Sequence, residues 1–107
     1  MNSKTVFLAA LALAACAPSM KKPADPAVNH AVDAMWERDV RRVAKTGDWI
    51  LSRSYSTTGD MIVGATSGEE FSHASIYDAE RGTIIEAISP AVREVPLTSL
   101  LKRNRYV

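Results

Sequence analysis

The stretch Ser72-His73-Ala74-Ser75-Ile76-Tyr77-Asp78, then Ala79-Glu80-Arg81-Gly82, then Thr83-Ile84-Ile85-Glu86-Ala87-Ile88, decides how this chain folds. Two runs that favour extended backbone flank a short segment ending in glycine, the pattern of a β-hairpin. Side chains alternate faces along a strand, so His73, Ser75 and Tyr77 share one face. Glu86 follows His73 by thirteen positions, and the loop length decides whether it joins that face. An even-numbered loop puts both groups on one side, and a two-residue loop at Ala79-Glu80 sets them directly opposite. A three-residue loop at Glu80-Arg81-Gly82 sends Glu86 to the other face. We expect the even register.

Working outward, Pro90 ends the second strand, residues 92–95 read as a further extended piece, and residues 97–101 as a helical turn or two. Residues 105–107 open another strand with no evident partner. Upstream, Val32, Trp36, Val40 and Val43 recur three or four apart over residues 27–45, with Glu37 four before Arg41, which predicts an amphipathic helix. Asp25-Pro26 or Asn29 suits its start, and Gly47 suits the left-handed exit. Residues 48–53 form a short strand and residues 54–58 a hydroxyl-rich turn. Thr57, followed by Asp60, suits the cap of a second helix that ends near Gly68 and packs inward through Met61, Ile62, Val63 and Ala65. The class is α+β, a small, mostly antiparallel sheet with flanking helices. There are no internal repeats.

The start of the chain has a different character. Residues 1–15 carry one Lys4 and an apolar run closing on small residues, the layout of a signal peptide. The run is about half the ~20 apolar residues that a membrane span needs. Leu13-Ala14-Ala15-Cys16 resembles the lipobox of bacterial lipoproteins, which implies that Cys16 is the lipidated residue and that the membrane is held through an N-terminal lipid. Ala17 stands where an acidic residue would favour inner-membrane retention, so the expected place is the periplasmic side of the cell envelope, with the outer membrane favoured. Residues 16–28, with Pro18, Pro23 and Pro26, read as a lipidated tether, leaving residues 29–107 for the domain.

Thirteen Lys and Arg against twelve Asp and Glu become twelve against twelve once Lys4 leaves with the leader. Lys102-Arg103-Asn104-Arg105 reads as a solvated turn, so no nucleic-acid partner is expected. Cys16 is the only cysteine, and its lipidation leaves the domain without a thiol or a disulfide. His30 has no acidic or Cys partner at ligand spacing, so no metal and no cofactor are expected. No serine lies in a nucleophile-elbow pattern. Trp36 and Trp49 are expected in the core, and Tyr77 is expected to pack.

His73 at a strand start is the candidate for chemistry, against the plain alternative of a half-buried structural histidine. Glu86 is its candidate partner or else an exposed strand carboxylate. The order Gly47-Asp48-Trp49-Ile50-Leu51, a small helix, Phe71-Ser72-His73-Ala74-Ser75-Ile76-Tyr77, Ile84-Ile85-Glu86-Ala87-Ile88 and Val92 resembles the permuted NlpC-type papain-like hydrolases, the YiiX/YebB-like group. The resemblance implies a permuted papain-like half-domain, truncated at its C-terminus, in which His73 is the catalytic base and Glu86 its orienting residue. The nucleophilic Cys follows later in such chains and has no counterpart here. What it implies is amide or ester hydrolysis on a peptide, amino-acyl or lipid-linked envelope substrate, with this chain inactive as it stands. A non-catalytic envelope-binding or vestigial lipoprotein is the alternative. A purely structural lipoprotein would place His73 and Glu86 on different faces.

Overall fold

A computed structural model describes residues 21–67 and 69–107. The leader and Cys16 lie outside the described residues. The first helix, α1 (Pro26–Val43), starts where Asp25 accepts the Ala27 amide at 2.8 Å, with Pro26 in the first turn, where its missing N–H costs nothing. Glu37 and Arg41 pair at 2.9 Å on its outer side, while Arg41 and Arg42 suit its C-terminal end. The helix stops at Ala44, and Gly47 takes φ +94° in the turn beyond rather than at the cap itself.

Five strands follow: β1 (Trp49–Ser54), β2 (His73–Asp78), β3 (Thr83–Ile88), β4 (Ala91–Pro96) and β5 (Asn104–Tyr106). They form one antiparallel sheet in the order β4-β3-β2-β1-β5. β2, β3 and β4 follow one another through turns of four and two residues, which can only join antiparallel neighbours, whereas β1 pairs with β2 across a longer connection that carries a helix. The helix α3 (Leu97–Arg103) then carries the chain back over the sheet, and β5 pairs with the far edge of β1. The strand expected to lack a partner therefore has one.

The two sheet faces differ sharply. Ile50 and Ser52 of β1, Ser75 and Tyr77 of β2, and Ile84 and Glu86 of β3 are all buried. Val40 of α1 and Leu97, Leu100 and Leu101 of α3 complete that core, with Trp36, Val95 and Val107 against its margin. The opposite face leaves Trp49 66%, Leu51 45% and Val92 70% exposed, so Trp49 is not in the core as expected. In Trp49-Ile50-Leu51-Ser52 the alternation sends Ile50 and Ser52 inward, and their neighbours therefore point out.

Between β1 and β2 lies α2 (Thr57–Ala65). Its cap is Ser56, not Thr57: the Ser56 hydroxyl accepts the Gly59 amide at 3.0 Å. The helix ends at Ala65, and of the four residues expected to pack inward Met61, Ile62 and Ala65 are exposed while Val63 is half-buried. Buried Gly59 is its point of approach instead, with Arg53 and Ser54 of β1 where a side chain would stand. Buried Arg53 reaches across to Asp60 at 2.5 Å. A polar clamp thus holds a helix most of whose apolar residues are exposed. None of the described helices is long and apolar enough to cross a membrane.

Candidate functional site

The position of His73 follows from the way β2 begins. The Ser72 amide donates to the Ser52 carbonyl at 2.9 Å, and the Ser72 hydroxyl accepts the Ser54 amide at 2.9 Å. These two bonds tie the strand's lead-in to β1 and bring His73 level with Ser52. Its imidazole lies on the inner face at the open end of the sheet, with 19% of the side chain exposed.

Glu86 reaches the same place from β3. The hairpin pairs Asp78 with Thr83 and Tyr77 with Ile84, so its loop is the four residues 79–82. Asp78 organises the turn by accepting the amides of Glu80 and Arg81. Four is even, and His73 and Glu86 share one face as the even register requires. They are diagonal rather than directly opposite, because the loop is two residues longer than the shortest even loop. A long carboxylate side chain spans that offset: Glu86 Oε2 and His73 Nε2 are 2.9 Å apart.

Glu86 is 2% exposed, and a buried carboxylate needs partners to remain charged. It has three. Oε2 takes His73, while Oε1 accepts Arg103 Nη2 at 2.7 Å and Arg93, with Nη2 at 3.1 Å and Nε at 3.2 Å. Burial pushes the carboxyl pKa up, but the hydrogen bond from His73 and the charge and hydrogen bonds of Arg103 and Arg93 outweigh it. The result lies below the ordinary value. The group is an ionised acceptor at neutral pH, so Nε2 carries the proton of the His73 contact. The other ring nitrogen, Nδ1, is then the basic one, and it makes no hydrogen bond among the described residues.

Neither arginine was singled out from the sequence. Arg93 stands directly across from Glu86 in the β3–β4 ladder, where the two-residue turn Ser89-Pro90 joins Ile88 to Ala91. A cross-strand acid–base pair at that spacing is a readable signal. Arg103 comes from the last turn of α3, inside the basic run expected to be a solvated turn. That expectation fails at two positions: Arg103 serves Glu86, and Asn104 is 5% exposed, its amide donating to the Leu100 carbonyl.

His73 lines a cleft of about 630 Å³ at this end of the sheet. The start of α2 forms one wall, and the end of β3 and the end of α3 form the other. Ser75 and Tyr77 share the His73 face but are buried, Tyr77 in the apolar core. His30 is on the exposed side of α1, away from the cleft lining. Among the described residues no group of His, Cys, Asp and Glu is placed to hold a metal ion. The arrangement offers an oriented imidazole with one free basic nitrogen at the mouth of a cleft, backed by a fixed negative charge. Against family models, curated proteins and solved structures, the chain finds no match.

Proposed function

We propose that residues 29–107 are the N-terminal part of a lipid-anchored cell-envelope cysteine hydrolase of the permuted papain-like, NlpC type. In this reading His73 is the general base and Glu86 the residue that positions it. The observation that carries it is the 2.9 Å bond between His73 Nε2 and the buried, ionised Glu86, in a histidine that lines the cleft and whose Nδ1 makes no hydrogen bond among the described residues. A thiol beside Nδ1 would pass its proton to the ring and attack an amide or ester carbonyl as thiolate. The imidazolium then returns the proton to the leaving amine or alcohol, and water releases the acyl group from sulfur. Glu86 keeps the ring in the one tautomer and orientation that serve this exchange.

The nucleophile is the missing member, since Cys16 is the only cysteine of the sequence and the reading assigns it to the lipid. In our proposal the thiol comes from chain downstream of Val107. The same fact favours a second reading, a non-catalytic envelope-binding lipoprotein that holds its ligand in this cleft. Sequencing the gene beyond the Val107 codon separates them: an in-frame continuation bearing a Cys supports the hydrolase, and a stop codon supports the binding protein. In a full-length enzyme, His73→Ala is expected to abolish amide or ester turnover. Undiminished turnover would remove His73 from the mechanism.

A further inference from the structure

The two lysines of the cleft wall have no part in the hydrolytic scheme. Lys22, Lys102 and Arg103 line the cleft, and no Asp or Glu does. Lys22 Nζ donates to the Lys102 carbonyl at 2.9 Å, which brings both lysines to the same rim. The lining also carries hydroxyl groups: Ser54 at the end of β1, which donates to Ser56 Oγ at 2.9 Å, and Ser56 and Thr58 at the start of α2. Ile62 and Ile88 give the cleft an apolar patch beside these polar groups.

We propose that this cleft binds a phosphate group, carried by a ligand with an apolar portion that lies along Ile62 and Ile88. Arg103 is already compensated by Glu86, so the two lysines, in a lining without an acidic side chain, select an anion, and their type selects among anions. Arg103 already directs Nη2 to Glu86 and Nε to the Ser99 carbonyl, so its planar fork is not free for a carboxylate. The two lysines are point charges that meet an anion without a preferred plane, and the Thr58 hydroxyl lines the same cleft. That suits the tetrahedral set of phosphate oxygens better than a planar carboxylate. The unpaired amides in the first turn of α2 add donors of the same sign of dipole, beside Ser56, whose hydroxyl is used by Gly59.

This proposal deepens the functional reading, because it names a substrate feature for the His73 cleft, and it rests on that reading only for what happens after binding. The test is therefore binding alone. The 107-residue chain in nonionic detergent is titrated by calorimetry with inorganic phosphate and with a short-chain phosphatidic acid, against chloride at equal ionic strength. Saturable phosphate binding is expected, weakened about tenfold in a Lys22→Gln, Lys102→Gln variant because two charge-assisted contacts are gone. Both lysines are exposed, and an unchanged thermal melt shows that the variant is folded. Phosphatidic acid binding at least about tenfold tighter than phosphate locates the phosphate on a lipid, through burial of its apolar part. Equal affinity locates it on a soluble ligand. No saturation by either, an equal response to chloride, or full affinity in the double variant overturns the proposal. Phosphate binding in a full-length protein that hydrolyses nothing would sink the hydrolase reading alone.

Discussion

Arg103 and His73 hold opposite oxygens of one buried carboxylate: Arg103 Nη2 lies 2.7 Å from Glu86 Oε1, and His73 Nε2 lies 2.9 Å from Oε2. The α3 helix is therefore coupled to the ring at the cleft through a group that itself never reaches solvent. Arg103→Ala takes one of two cations from Glu86. Losing a partner of a fully buried ion pair costs about 3–5 kcal/mol, but Arg93 remains and Arg103 is itself 35% exposed, so about 1–2 kcal/mol is expected. Urea denaturation measures it, and a loss below about 0.5 kcal/mol would mean that the pair is worth no more than a surface contact.

The pH dependence follows from the same cluster. The folded pKa of Glu86 lies below its ordinary value of 4.5, so the unfolded chain binds that proton first as pH falls. The contribution of Glu86 to stability is complete above the ordinary value and is lost as pH falls through the lower, folded one. Comparing wild type with Glu86→Gln over a series of urea melts, the stability difference should be constant near neutrality and shrink in the acid range below 4.5. A difference that is independent of pH there would show that the fold does not lower the Glu86 pKa.

Glu86→Gln also reads out the ring. With the carboxylate present, His73 is held with its proton on Nε2; the amide offers both a donor and an acceptor, and that preference is lost. Long-range proton–nitrogen NMR of the His73 imidazole at a pH where the ring is neutral should show a protonated Nε2 and a bare Nδ1 in wild type. In the variant the two tautomers should mix. A mixed wild-type ring would leave Glu86 as a structural neighbour without a positioning role.

How much of this was legible in the sequence depends on how far apart the interacting groups lie. The β2–β3 hairpin and the shared face of His73 and Glu86 are local, fixed by loop parity. Only the diagonal offset required knowing that Asp78 builds a four-residue turn. Arg93 is equally local, one two-residue turn from Glu86, and the acid–base spacing across Ser89-Pro90 would have found it. Arg103 was out of reach because its place depends on α3 crossing the sheet, and nothing in the run 102–105 distinguishes a guanidinium over a buried carboxylate from one in water. The partner of β5 was hidden for the same reason: β1 precedes it by about half the chain. In α2 the apolar pattern misled, since buried Gly59 and the Arg53–Asp60 clamp, not Met61, set its packing.

The two tryptophans give the last test, because composition treats them alike and the fold does not. Trp36 packs against the core from α1, beside Val40, whereas Trp49 stands 66% exposed on the open sheet face. Truncating a packed aromatic costs about 3–5 kcal/mol when it is fully buried, and Trp36 is only partly so; Trp36→Ala should therefore lose about 2 kcal/mol. Trp49→Ser removes little buried area and exchanges an exposed ring for a polar group, so its effect should stay within about 0.5 kcal/mol. Its fluorescence should match: the emission lost with Trp49 is the red-shifted, easily quenched part, and the emission left comes from Trp36. If instead Trp49→Ser costs as much as Trp36→Ala, the outer face is covered in solution, and Leu51, Ile85 and Val92 share whatever covers it.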